Sequence, residues 1–334
     1  MDIVPAELSI ITPVFNGERY LAEVIDSIVA QQDIEIEYII VNDGSTDSSL
    51  AISNKYQQLY PKMIRVFDQK NSGEASAVNF GFLQAESEFV CIVNADDPLL
   101  PGHCRTMVDI LRSSNAIAAY PDWLMIDDEG TTIRLIKTRD FSKRVLIAKF
   151  LCIPGPGSVF RRTAVMSSVP RDSSFRFISD YVMWVHLSLV GDFVRVPEVL
   201  ATWRFHAGGA TQVGGGSPVA KEFERYAYEY ASQLLDGKVP SSWFRVLRSH
   251  VHYHMAIQAV ADTSYNGRLQ LLKSLRVKPW PSLPIRDPHR SISRMLVVLI
   301  GRNARIIVDV RSKFLARKSK GQISAVCKTT DSSR

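Results

Sequence analysis

The chain has 334 residues, 46% hydrophobic and 22% charged, a balance that excludes disordered, collagen-like and low-complexity classes and predicts a buried core. Its four cysteines (Cys91, Cys104, Cys152, Cys327) form no CxxC pair, so neither a disulfide framework nor a zinc knuckle is expected. Charge is uneven, with 22 Lys+Arg against 30 Asp+Glu over residues 1–239 and 18 against 4 over residues 240–334, which points to an anionic partner for the tail.

The first hundred residues alternate two hydrophobic periods. Residues 8–14 are a β-rich run ended by the turn Phe15-Asn16-Gly17. Leu21, Val24, Ile25, Ile28 and Val29 then recur at helical spacing, predicting an amphipathic helix that lies on a sheet. Residues 36–41 read as a buried strand. Asn42-Asp43-Gly44-Ser45-Thr46-Asp47 turns it into a helix that runs to about Tyr60, capped by Ser45, Thr46 or Asp47. A strand over 63–67, a helix over 74–85 and a strand over 89–93 follow. The alternation predicts βαβ units on a mostly parallel sheet, whose ligands lie at the carboxyl ends of the strands. Asn16, Asp43 and Asn94-Ala95-Asp96-Asp97 all fall at such ends.

Elimination narrows the chemistry. The chain has no GxGxxG after its first strand, no GxxxxGK[ST], no GxSxG and no HExxH, which removes dinucleotide, P-loop, α/β-hydrolase and zincin readings. Adjacent carboxylates leaving a buried strand suit a hard divalent cation that prefers oxygen and bridges to substrate phosphates.

The runs Ser9-Ile10-Ile11-Thr12-Pro13-Val14-Phe15-Asn16, Ile39-Ile40-Val41-Asn42-Asp43-Gly44-Ser45-Thr46-Asp47 and Asn94-Ala95-Asp96-Asp97 resemble successive signatures of family 2 glycosyltransferases. Asn71-Ser72-Gly73 with Asn79-Phe80-Gly81 resembles the family's "NxG…ARNxG" stretch, Ser179-Asp180-Tyr181-Val182-Met183-Trp184 its "ED-Y-D-L-W" segment, and Trp203-Arg204-Phe205-His206 its "YRxH" segment. The likeness covers about residues 8–210, in order. It implies a GT-A fold (a Rossmann-like, mostly parallel sheet flanked by helices) and inverting transfer of a hexosyl or N-acetylhexosaminyl group from a nucleotide-diphosphate sugar, a UDP-sugar above all.

The resemblance also assigns roles. Thr12, Pro13 and Val14 would line the nucleoside pocket and Asp43 would hydrogen-bond the base or ribose. Asn16, Asn71, Gly73, Asn79, Asn94 and Asp96 would complete the donor site, with Arg204 and His206 near the phosphates. Asp96, Asp97 and His206 would hold Mg²⁺ or Mn²⁺, and Asp180 would be the general base. Two positions depart from the pattern: Asn94 stands where the metal motif begins with Asp, and Ser179 stands where an acidic residue precedes the base. The chemistry accounts for the residue types. Displacement at an anomeric carbon passes through an oxocarbenium-like state, the departing diphosphate gains charge that a metal and cations stabilise, and the acceptor hydroxyl gives its proton to a carboxylate.

Residues 120–131 predict a strand, a turn and a return strand, and the resemblance implies that this segment builds the acceptor side, with Asp122 and Trp123 facing the acceptor. The rigid loop 153–158 precedes the helix bearing Asp180, and the glycine-rich stretch 208–217 suits a loop closing over the donor. Phe223, Tyr226 and Tyr230 predict a packing stripe. We therefore expect a GT-A domain over 1–215, a helical basic extension over 216–319 and a disordered tail over 320–334. The longest apolar run, residues 295–300, falls far short of the roughly 18–20 residues that span a bilayer. Residues 292–318 combine that run with Arg302, Arg305, Arg311, Lys313, Arg317 and Lys318, a pattern suited to a membrane interface. Residues 1–5 have no basic-then-apolar leader pattern. The expected setting is cytoplasmic, at the inner face of the membrane, in polysaccharide or cell-envelope biosynthesis on a glycan or lipid-linked acceptor, with no nucleic acid. The alternatives are a noncatalytic nucleotide-sugar binding module, favoured by Asn94 and Ser179, and a nucleotidyltransferase of related fold, whose "GxGTR" loop is absent.

Overall fold

A computed structural model describes residues 6–31, 33–167, 171–209, 217–258 and 267–277. The basic segment 292–318 and the tail 320–334 lie outside these residues, as does 210–216 of the glycine-rich stretch.

Strand β1 (Leu8–Val14) leads into helix α1 (Leu21–Val29), β2 (Ile36–Asp43) into α2 (Ser49–Leu59), and β3 (Ile64–Gln69) into α3 (Glu74–Gln84) before β4 (Phe89–Ile92). There follow α4 (His103–Arg112), β5 (Ala118–Ile126), β6 (Thr132–Ile136), α5 (Lys143–Ala148), β7 (Val159–Arg161), α6 (Arg162–Met166), α7 (Ser179–Val190) and β8 (Phe193–Arg204). The strands form an 8-stranded sheet in the order β3-β2-β1-β4-β7-β5-β6, with β8 paired to β5. β1 runs parallel to β2 and β4, β2 to β3, and β5 to β8, whereas β7 is antiparallel to β4 and β5. Val14 pairs with Asn42 and Asp43 with Gln69, which brings the carboxyl ends of β1, β2 and β3 to one edge of the sheet.

Every residue of β1 is buried, as expected for a strand covered on both faces. Successive side chains alternate. Leu8 and Ile10 share a core with Leu21, Val24, Ile25 and Ile28 of α1 and with Cys104, Met107, Val108 and Leu111 of α4. Each such aliphatic side chain contributes about 1.5–3 kcal/mol when fully buried. Ile11 meets α3, where Gly81 permits the approach: a Cβ at Gly81 would lie 2.4 Å from Ile11 Cγ2.

The chain divides into two compact units, 1–147 with 151–213, and 148–150 with 214–334. The described part of the second is helical, with helices Ser217–Arg225, Ala231–Leu234, Ser242–Gln258 and Gly267–Val277 and a π-turn over Tyr226–Tyr230. Phe223 and Tyr226 pack on Phe150 with ring centroids 4.8 and 5.7 Å away, so the aromatic stripe is core. His252 is buried between the Tyr228 hydroxyl (2.7 Å) and Gln270 (2.7 Å).

Candidate active site

The loops after β1 and β2 are laced together. Asn16 adopts φ 53°, a left-handed conformation that asparagine tolerates better than most residues. Its amide oxygen accepts from the Thr46 backbone N–H (2.8 Å) and its own N–H donates to Ser45 Oγ (3.0 Å). Gly17 N–H donates to Ser49 Oγ at 2.8 Å. Asp47 serves the helix start as expected, accepting from the Ser49 N–H at 2.9 Å.

Asp43, buried at the end of β2, organises the next loop. Its Oδ1 accepts from Gln69 Nε2 (2.7 Å) and Ser72 N–H (2.8 Å), and its Oδ2 from Gly73 N–H (2.8 Å). Gly44 makes this possible: its φ is +68°, and a Cβ there would lie 2.7 Å from the Asn71 nitrogen. Asn71 and Gly73 are exposed on this loop, and Glu74 directly after Gly73 opens α3.

At the end of β4 the two neighbouring carboxylates part. Asp96 is partly exposed and its Oδ2 lies 2.9 Å from His206 Nε2, so the structure brings these two expected metal ligands together. Asp97 turns the other way. It is 4% exposed, its Oδ1 accepting from the Arg204 backbone N–H (2.7 Å) and its Oδ2 from Asn94 Nδ2 (2.9 Å). Asp97, expected as a ligand, is here an internal brace between the end of β4 and β8. Burial foremost, and then the Asp96 charge, push its carboxyl well above the usual range. Asn94 has a physical reason as well, since an amide can donate to Asp97 where an ionised carboxylate could not.

Arg204, expected near the donor phosphates, is buried and engaged. Nε donates to the Asp96 carbonyl (3.0 Å), Nη1 to the Asp127 and Asp128 carbonyls (3.0 and 3.2 Å), and Nη2 to Glu23 Oε2 (2.6 Å). Tyr20 covers it, with the guanidinium 4.6 Å from the ring centroid, and the same ring meets His206 edge-on at 5.1 Å. Arg204 therefore fixes the loops that present Asp96 and His206. Three other expected groups are likewise engaged within the protein. Thr12, Pro13 and Val14 are buried, and Thr12 Oγ1 accepts from the Tyr38 hydroxyl at 3.0 Å. Asn79 clamps the backbone of Arg171 at both its N–H (2.9 Å) and its carbonyl (2.8 Å). Asp122, expected on the acceptor side, is buried in an ion pair with Arg195 (2.8 Å) and accepts from the Thr138 N–H at 2.8 Å.

Asp180 lies in the first turn of α7 and is exposed, where a helix N-terminus favours its charge. Although solvent reaches it, the protein atoms crowding it raise its carboxyl above the ordinary value; Arg171 opposes this and Glu74 adds to it. Cys152 is exposed; the protein atoms crowding it, and then the Asp180 charge, raise its thiol. Trp123 lies under the 153–158 loop, where a Cβ at Gly155 would lie 2.7 Å from Trp123 Nε1. Its ring meets Trp203, which meets Phe205, both edge-on at 6.1 Å.

Sequence reasoning missed Phe15, Glu74 and Arg171. Phe15 is 55% exposed at the carboxyl end of β1, a signal present in the sequence as a large apolar residue inside a polar turn. Glu74 and Arg171 come together only in the fold.

Two protein donors, Asp96 and His206, converge at the metal motif; among the described residues no group of three His, Cys, Asp or Glu side chains is placed to hold a metal. One carboxylate and one imidazole fit an ion whose remaining positions are taken by diphosphate oxygens and water. Among the described residues no helix is long and apolar enough to cross a membrane.

The description "Glycosyl transferase family 2" fits residues 9–167. An uncharacterized glycosyltransferase of Nostoc sp. is 29% identical over 209 residues, 60% of this chain and 65% of that protein. An uncharacterized glycosyltransferase of Rickettsia conorii is 34% identical over 139 residues, 41% of this chain and 23% of that protein. The chain thus covers less than two thirds of either relative. In solved structures, S. aureus TarS in complex with UDP-GlcNAc superposes with TM-score 0.61 at 16% identity, over 80% of this chain and 79% of that one. Mannosyltransferase PcManGT from Pyrobaculum calidifontis, in complex with GDP-Man and Mn²⁺, gives TM-score 0.57 at 15% identity, over 95% and 87%. The architecture is that of GT-A glycosyltransferases. Residues 9–167 are thus similar to glycosyl transferase family 2.

Proposed function

We propose that the chain is an inverting transferase that moves a hexosyl or N-acetylhexosaminyl group from a nucleotide-diphosphate sugar, a UDP-sugar in the first instance, to a hydroxyl of a glycan or lipid-linked acceptor. The observation that carries this reading is the partly exposed Asp96–His206 pair at the ends of β4 and β8, in the same unit as an exposed Asp180 on a helix N-terminus. The nucleotide sugars and the Mn²⁺ that accompany TarS and PcManGT support the donor class and the metal.

Asp96 and His206 would hold Mg²⁺ or Mn²⁺, which when bound stabilises the negative charge of the departing nucleoside diphosphate. Arg204 and Tyr20 keep His206 and the Asp96 loop in place, and Asp97 ties that loop to β8. Asn16, Asp43 and the 71–73 loop shape the nucleoside end of the site. Asp180 accepts the proton of the acceptor hydroxyl as its oxygen bonds to the anomeric carbon and the bond to the diphosphate breaks. Its raised carboxyl makes it a stronger base than a free aspartate. The basic, apolar pattern of 292–318 supports attachment to an anionic membrane surface on the cytoplasmic side.

Proton NMR of the first product tests the stereochemistry. With UDP-GlcNAc, UDP-glucose, dTDP-glucose or GDP-mannose as α-linked donors and water as acceptor, a single displacement yields the β-sugar before mutarotation. An α-configured first product, or no nucleoside diphosphate released from any of them, contradicts the proposal.

A further inference from the structure

Asp180 lacks the acidic neighbour of the family pattern, and Ser179 stands there instead. The structure supplies an acid from elsewhere. Arg171 is 8% exposed and its Nη1 donates to Glu74 Oε1 at 2.7 Å and to Ser179 Oγ at 3.4 Å. Its backbone is fixed at two points by the Asn79 side chain, so the first turn of α3 and its interior both hold it. Arg171 Nε is buried with no hydrogen-bond partner among the described residues. A buried donor without a partner is uncommon in folded proteins and marks this guanidinium as more than packing. Glu74 adjoins Gly73, whose N–H is held by Asp43, so the pair also connects the loop of the nucleoside end to the start of α7.

We propose, resting on the reading of Asp180 as the base, that Glu74 and Arg171 are its positioning residues: the ion pair seats on Ser179, beside Asp180 in the first turn of α7, and stands in for the missing acidic neighbour. The charged and titratable groups acting on Asp180 are Arg171 and Glu74, with the Cys152 thiol on the neighbouring loop. The signs are opposite. The Arg171 cation favours the carboxylate, whereas the Glu74 anion disfavours it. Glu74 is 47% exposed at its side chain, so solvent weakens its share and Glu74→Gln leaves the fold intact.

Carbodiimide coupling of glycine ethyl ester to Asp180, followed by peptide mass spectrometry across pH, reads the protonation of this carboxyl without any donor. Glu74→Gln moves the half-labelling pH down by about half a pH unit, and Arg171→Met moves it up by at least as much. Arg171→Lys restores the wild-type position. An unchanged half-labelling pH in Glu74→Gln overturns the inference, even if Arg171→Met fails to fold. The acid limb of nucleoside diphosphate release follows the same shifts. Should the labelling shift while that limb stays fixed, or Asp180→Asn remain active, the base assignment falls and the positioning role with it.

Discussion

Asp180→Asn is expected to lower the transfer rate by about 10²–10⁴-fold, the contribution typical of a positioned general base. The amide keeps the size and the hydrogen-bonding reach of the carboxylate but accepts no proton. Nucleotide affinity should be unchanged, because Asp180 belongs to α7 and acts with Arg171 and Glu74, whereas Asp96 and His206 pair with each other at the ends of β4 and β8. Steady-state release of nucleoside diphosphate, set beside calorimetric binding of the same nucleotide, separates the two effects. A variant within a few fold of wild type would assign the proton to another group. A variant that loses binding and rate together would place Asp180 in the donor site.

Asp96→Ala is expected to remove the metal-dependent part of nucleotide binding, a loss of about 10²-fold or more in affinity with Mn²⁺ present. Without the metal, wild type and variant should bind alike. The neighbouring substitution gives the contrast. Asp97→Asn keeps the brace to the Arg204 N–H but places an amide against the Asn94 amide, so its effect is expected on thermal stability, with metal-dependent binding retained. Two adjacent aspartates, opposite readouts: if Asp97→Asn abolished the metal effect and Asp96→Ala did not, the orientation of the motif would be reversed.

That orientation marks the boundary of what sequence discloses. The strand–helix alternation, the burial of β1 and the order of the motifs follow from hydrophobic period and turn residues, because these are local. The residue types of the site are legible for the same reason. Which neighbour faces outward is not local. Asp97 turns inward because the Arg204 N–H reaches it from β8, 107 positions along the chain, and Arg204 lies under Tyr20 because α1 crosses there. Asp43 at a strand end, Asn79 within a helix and Asp122 within a strand were likewise legible as polar residues, yet each is used by a loop or ion pair that only the tertiary fold brings up. Glu74 and Arg171 are 97 positions apart, and neither lies in a motif that names the other. The two departures from the family pattern, Asn94 and Ser179, each meet a partner of fitting chemistry, Asp97 and Arg171.

The central claim is a metal-assisted nucleotide site at the carboxyl ends of β1, β2 and β4. Calorimetric titration of the full chain with UDP, GDP and dTDP, each with and without Mn²⁺, tests it most directly. The account predicts that one of the three binds, with UDP the first expectation, and that Mn²⁺ strengthens it. Absence of binding by all three in the presence of Mn²⁺ would contradict it.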